Sequence, residues 1–97
     1  MVFVRQTVEF DKWLRELPDQ RGKAKVLVRI DRLALGNPGD VRPVGEGVSE
    51  LRIDFGPGYR VYYMRRGDLI YLLCGGDKDS QDTDVRKAIT LARNLES

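Results

Sequence analysis

Four side chains in the middle of the chain have chemistry suited to a phosphodiester: Arg52, Arg60, Tyr62 and Lys78. Strict alternation from residue 50 to 55 predicts a strand with Arg52 on its polar face. On the following strand the better core face consists of Tyr59, Val61 and Tyr63. Arg60 and Tyr62 should therefore share the exposed face with Arg52. Guanidinium groups bind phosphate through paired donors, and a tyrosine ring can stack on a neighbouring base.

The same pattern has a simpler interpretation, in which these arginines only form ion pairs with Glu50 and Asp54 on a solvated sheet face. Lys78 follows Gly75-Gly76 in a polar loop, and loops at strand ends often present functional side chains. It could equally be a solvated lysine between two aspartates. The two glycines lack the strand–helix context of a nucleotide phosphate loop.

Composition limits the possible chemistry. The chain has 97 residues, enough for one domain spanning 1–97, and 41% of them are hydrophobic. It contains one cysteine, Cys74, and no histidine, which excludes Ser-His and Cys-His nucleophile systems and an internal disulfide. We expect no metal site and no cofactor. Any proton transfer must use Lys, Tyr, Asp or Glu.

The charge and the hydropathy pattern bear on location and partners. Most of the 17 cationic residues are arginines, but the formal net charge is only +2. So small an excess disfavours free RNA as a substrate, because non-specific binding scales with the number of phosphates neutralised. No signal peptide and no long apolar segment is recognisable, so we expect a soluble cytoplasmic protein without membrane contact.

The amino-terminal third predicts a short strand, Val2–Arg5, and two helices. Thr7 is a candidate N-cap for the first helix, and Pro18 ends it. Asp19 can cap the second helix, which ends at Gly36-Asn37-Pro38. Trp13 is more simply explained by core packing than by ligand stacking. The predicted apolar stripes are Phe10, Trp13, Leu14 and Leu17 on the first helix, and Val26, Leu27, Ile30, Leu33 and Ala34 on the second.

The remaining sequence predicts strands at Val41–Val44, Glu50–Phe55, Tyr59–Arg65 and Leu69–Cys74, the last buried on both faces. A final helix from about Thr83 has the apolar stripe Val85, Ala88, Ile89, Ala92 and Leu95. The predicted fold is α+β: an N-terminal strand and helical hairpin on a curved, mostly antiparallel sheet of four or five strands, with a C-terminal helix. We expect one face of the sheet to be open.

Two motifs resemble those of a known family. Glu50-Leu51-Arg52, with Gly58-Tyr59-Arg60-Val61, and then Gly75-Gly76-Asp77-Lys78, are similar to the RelE/ParE toxin superfamily. The resemblance covers the whole chain and is greatest to the phage-derived, HigB-like branch of addiction-module killer proteins. Such relatives share the predicted fold. Many cleave mRNA in the ribosomal A site without metal, by attack of a ribose 2′-OH on the adjacent phosphate, and others poison DNA gyrase.

The resemblance implies roles for particular residues. Arg60 would clamp the phosphate in the transition state, Arg52 would be the basic residue of the preceding strand, and Lys78 would be a clamp or proton donor. Tyr62, Arg65 and Arg66 are candidate RNA-binding residues. Several cleaving relatives place a tyrosine or histidine near the start of the last helix, but residues 82–85 here contain neither. Tyr62 or Lys78 would have to supply the acid–base group.

The resemblance therefore implies that the protein is the toxin of a type II toxin–antitoxin pair, a ribosome-dependent mRNA endonuclease that inhibits translation. Its expected partners are the ribosome with mRNA, and a cognate antitoxin of the helix-turn-helix type. Operator DNA would be contacted only through that antitoxin. Two alternatives stay open: a ParE-like gyrase poison without catalytic residues, and a degenerate toxin that acts only as a co-repressor.

Overall fold

The computed structural model describes residues 1–96, which form one five-stranded sheet and three α-helices. The helices are α1 (Val8–Arg15), α2 (Gln20–Ala34) and α3 (Gln81–Glu96), with a 3-10 turn at Lys78–Ser80 just before α3. The strands are β1 (Phe3–Gln6), β2 (Val41–Gly45), β3 (Val48–Ile53), β4 (Tyr59–Arg66) and β5 (Leu69–Gly76). The predicted fold class is confirmed.

The helical hairpin begins at the two predicted caps. The Thr7 hydroxyl accepts from the Phe10 amide at 3.0 Å, and the Asp19 carboxylate accepts from the Gly22 amide at 3.0 Å. Most of both apolar stripes pack onto the sheet, as predicted. The prediction for Leu27 is wrong: its side chain is 43% exposed, because the buried face of α2 runs through Val26, Ile30 and Leu33.

The sheet has the order β1-β5-β4-β3-β2, with β4 at its centre. β1 pairs with β5 in parallel, and every other pair of neighbours is antiparallel. α3 begins at Gln81, earlier than predicted, because β5 continues through both glycines and the 3-10 turn leads directly into the helix. The chain therefore places the 3-10 turn, and with it Lys78, at the end of β5.

Both faces of the sheet are largely covered, so the expectation of one open face is wrong. One core lies between the sheet and the α1–α2 hairpin and includes Phe10, Leu51, Val61 and Ile70. A second core lies under α3 and contains Val48, Tyr62, Met64, Leu73, Cys74, Ala88 and Ala92. α3 docks on the face that the alternation of β3 and β4 marked as polar. The part of that face beyond the start of α3 stays accessible.

A β-bulge on β5 explains why the face of the sheet beneath α3 is apolar. Tyr62 pairs with Cys74 and Tyr63 pairs with Leu72, so Leu73 is the extra residue. As a result Leu73 and Cys74 both contribute to the core beneath α3. None of the helices within residues 1–96 is long and apolar enough to cross a membrane.

Candidate active site

The three residues predicted to be catalytic line one pocket of about 360 Å³. Arg52 comes from β3, Arg60 from β4 and Lys78 from the 3-10 turn before α3. The rest of the wall is Asp40, Asp54 and the turn Gly56-Pro57-Gly58. Three cations and two carboxylates give the pocket a formal charge of +1. It is an accessible, mostly polar site at the end of the sheet that α3 leaves uncovered.

Arg52 and Arg60 lie directly opposite each other on neighbouring strands. Like charges in such a cross-strand pair repel, so this arrangement is unfavourable unless anions compensate it. Asp40 provides part of the compensation: its carboxylate lies 3.2 Å from Nη2 of Arg52 and accepts from its Nε. Both side chains of this pair are substantially exposed, so the pair is weak. A phosphate could displace Asp40 at small cost.

The turn between β3 and β4 holds Arg60 against the pocket wall. Nη1 of Arg60 donates to the carbonyl oxygens of Gly58 and Tyr59, at 3.1 and 3.2 Å. Gly58 has a φ of +80°, and a Cβ there would lie 3.4 Å from both Nη1 of Arg60 and Cβ of Lys78. The turn therefore lies between the two cationic residues, and Lys78 itself is exposed.

Tyr62 does not share the pocket, in contrast to the sequence prediction. Its side chain is fully buried beneath α3, and its hydroxyl donates to Oε2 of Glu50 at 3.1 Å. Burial, followed by the adjacent Glu50 carboxylate, raises the pKa of the Tyr62 phenol well above its usual range. In this conformation Tyr62 can neither stack on a base nor exchange protons near neutral pH.

Arg65 and Arg66 are exposed at the opposite end of β4, next to the turn into β5. Arg66 lies six positions along β4 from Arg60, a distance of roughly 20 Å. Arg65 donates through Nε to the Gly67 carbonyl at 2.9 Å. The structure does not bring these two RNA-binding candidates to the pocket, so any RNA that they contact lies outside it.

The sequence analysis did not single out the two pocket carboxylates, Asp40 and Asp54, as site residues. Asp54 follows β3 at the polar position after Arg52, so alternation could have identified it. Asp40 precedes β2 and reaches the site only through sheet pairing. Within residues 1–96 no three His, Cys, Asp or Glu side chains form a group that could hold a metal ion.

A larger cavity of about 470 Å³ lies between α2 and the end of β3. Its cations are partly committed to structural roles: Arg29 donates to the carbonyl oxygens of Arg52, Pro38 and Asp40, at 2.6, 2.8 and 3.3 Å. Lys25 lies over the ring of Phe55, 5.6 Å from its centroid. The smaller pocket, with its converging cations, is the better candidate for phosphate chemistry.

Cys74 is a core residue rather than a nucleophile, and this can be tested. It is 1% exposed, and burial raises the pKa of its thiol from 9.0 to about 12. At pH 8 the native thiol should react with a disulfide reagent at least about 100-fold more slowly than the thiol of the protein unfolded in urea. Equal rates in the native and unfolded protein would contradict this placement.

The raised pKa of the Cys74 thiol also affects the stability of the protein at alkaline pH. Because the folded state holds the Cys74 proton more tightly, its contribution is complete below pH 9 and is lost as the pH rises toward 12. Over this window Cys74 alone should lower the free energy of unfolding by about 1.4 kcal/mol per pH unit. Urea titrations of Cys74→Ala should show a correspondingly flatter decline than those of wild type.

The fold and the pocket define a class: a small α+β domain whose helical hairpin and C-terminal helix enclose a sheet with a basic pocket at one end. The model of the family "Phage derived protein Gp49-like (DUF891)" matches residues 12–96. A Haemophilus influenzae protein described as uncharacterized is 50% identical over 93 residues, covering 95% of this chain and 94% of its own length. The chain belongs to the family of Gp49-like phage-derived proteins, which is associated with addiction-module toxins.

Proposed function

We propose that this protein is the toxin of a toxin–antitoxin pair and that it cleaves mRNA on the ribosome. The observation that carries the proposal is the convergence of Arg52, Arg60 and Lys78 on one accessible pocket. Membership of a family associated with addiction-module toxins supports the toxin role. The resemblance to the HigB-like branch supports the finer assignment.

In the proposed reaction the ribose 2′-oxygen attacks the adjacent phosphorus. The bond from phosphorus to the 5′-oxygen breaks, which leaves a 2′,3′-cyclic phosphate and a 5′-hydroxyl. Arg60 and Arg52 would stabilise the negative charge on the non-bridging oxygens. Asp54 would accept the 2′-OH proton, and Lys78 would give a proton to the departing 5′-oxygen. These groups all line the pocket, whereas Tyr62 is withdrawn from it.

The low net charge fits a substrate that the ribosome holds in place. With one excess positive charge in the pocket, the protein has little electrostatic attraction for free RNA. The exposed Arg65 and Arg66 would contact RNA outside the pocket. The proposed antitoxin is a helix-turn-helix protein, which would neutralise the toxin and bind operator DNA.

Primer extension on a reporter mRNA, after brief induction of the toxin with and without a translation block, tests the proposal. New 5′ ends that require translation are the expected result. Asp54→Asn should reduce them, which would support its role as proton acceptor. Growth arrest with intact mRNA would refute the nuclease assignment.

A second candidate function, gyrase poisoning, is favoured by the lack of a tyrosine or histidine as acid–base group. Residues 82–85 contain neither, and Tyr62, which would have to replace it, is buried. It predicts growth arrest with DNA damage and unchanged mRNA, and gyrase cleavage of supercoiled DNA would establish it. Induction without any growth arrest would instead support a co-repressor that has lost its toxicity.

A further inference from the structure

Glu50 is a buried charged residue whose environment is only partly satisfied. Its side chain is 1% exposed, and it is the one charged residue that is fully buried within residues 1–95. Oε2 accepts two hydrogen bonds, from the Tyr62 hydroxyl and from Nε2 of Gln81, both at 3.1 Å. Oε1 has no hydrogen-bond partner among the described residues. A buried carboxylate is costly unless it is paired, so Oε1 calls for a cation.

Among the described residues, the cation nearest to Oε1 of Glu50 is Arg60. Nε of Arg60 lies 3.9 Å from Oε1 of Glu50 and is itself buried without a hydrogen-bond partner in the described chain. Nε of Arg42 lies 4.0 Å away, but the Arg42 side chain is 60% exposed and its attraction is screened by water. The Arg60 side chain is only 11% exposed, so its interaction with Glu50 is the stronger of the two.

The strand register explains why Glu50 acts on this arginine. Glu50 pairs with Tyr62, and the next outward-facing pair along the same strands is Arg52 with Arg60. The carboxylate therefore lies one step behind the pocket, on the same face of the sheet. A shift of about 1 Å would bring Nε of Arg60 within charge-assisted hydrogen-bond distance of Oε1.

We propose that Glu50 is a positioning residue for Arg60. Its carboxylate holds the Nε side of the guanidinium inside the protein, so that the Nη side lies at the pocket wall, where Nη1 donates to Gly58 and Tyr59. The Glu50 carboxylate offsets the repulsion between Arg52 and Arg60 from outside the pocket. It therefore does not occupy the phosphate site at Arg60. Gln81 extends the arrangement to the first turn of α3, so the start of that helix supports the same carboxylate.

The consequence for RNA cleavage rests on the proposed function, but the geometry can be tested without it. In a ¹⁵N–¹H spectrum of the arginine side chains, the Nε–H signal of Arg60, identified by its loss in Arg60→Lys, should exchange slowly with water. In Glu50→Gln it should exchange at least about tenfold faster. The matched control is Glu46→Gln, which neutralises the exposed Glu46–Arg93 pair and should leave the Arg60 signal unchanged.

The second readout is the cleavage of mRNA by this protein on programmed ribosomes. Glu50→Gln should lower kcat by about 10- to 100-fold with little change in KM, as expected when a catalytic group is misplaced by about 1 Å. If wild type does not cleave RNA, the proposed function fails while the exchange experiment still tests Glu50. Should Glu50→Gln not fold, Glu50→Asp provides a second test, because it keeps the negative charge at a greater distance from Arg60. In this variant the Nε–H of Arg60 should exchange at an intermediate rate. An unchanged Arg60 exchange rate in a folded Glu50 variant would overturn the proposal.

Discussion

Replacing Arg60 with lysine should lower the rate of translation-dependent mRNA cleavage by about 100-fold, with Arg60→Ala at least as severe. Lysine keeps the positive charge but lacks the planar fork that binds two phosphate oxygens at once. Lysine also lacks the Nε–H that faces Glu50. It can therefore neither bind the phosphate through paired donors nor be held by the Glu50 carboxylate. Quantitative primer extension over a time course gives the rate.

The control for this prediction is Arg93→Lys. Arg93 lies in the last turn of α3, where it pairs with Glu46 on the surface. The same substitution there should leave cleavage within about twofold of wild type, because exposed ion pairs contribute little. Circular dichroism and urea unfolding must show that Arg60→Lys is folded. Cleavage at the wild-type rate by folded Arg60→Lys would remove Arg60 from the mechanism.

Gly75→Ala is expected to have a large effect on the stability of the protein. Gly75→Ala should lower the free energy of unfolding by about 3 kcal/mol or more, because a Cβ at this position would overlap the ring of Trp13. Trp13 is wedged against Phe10 and Tyr59, with ring centroids 5.7 and 6.3 Å away, so it has little room to move. For a domain of this size the melting temperature should fall by about 10 °C or more.

Gly67→Ala is the matched control for Gly75→Ala. Gly67 has a φ of +55° and no atom within 4 Å of an added Cβ, so alanine there costs only backbone strain, about 1 kcal/mol. Urea titrations compare the two variants directly. In the double variant Trp13→Ala/Gly75→Ala, the second change should cost much less than it does alone. Equal costs for Gly75→Ala and Gly67→Ala would show that the packing against Trp13 is not limiting.

The glycine pair illustrates what local sequence could not reveal. Gly75-Gly76 reads as a strand end followed by a loop, yet β5 continues through both residues. Gly75 faces Trp13 on the α1 side of the sheet, and Gly76 faces Asp84 and Ser80 on the α3 side. The absence of side chains there allows helices to approach from both faces. That requirement comes from residues more than 60 positions away in the case of Trp13, so no local pattern reports it.

Tyr62 illustrates the same point for the candidate site. Alternation correctly places it on the face of Arg52 and Arg60, but alternation cannot tell whether a face meets water or a helix. The bulge at Leu73 makes part of that face apolar, and α3 covers it. Tyr62 then becomes a buried donor to Glu50, and the accessible site shrinks to the end of the strands where Arg52 and Arg60 lie.

The sequence by itself determined the elements and the chemistry. Caps at Thr7 and Asp19, the apolar stripes of the helices and the alternation of β3 and β4 are local properties, and they specified the α+β class and the shared face of Arg52 and Arg60. The resemblance to the RelE/ParE superfamily added Lys78 to this pair. Only the tertiary structure decided which polar residues are buried. Burial depends on where α3 docks, and that depends on the fit of side chains and glycines distant in sequence. For this reason Glu50, an ordinary surface residue by its pattern, lies behind Arg60 as a buried carboxylate.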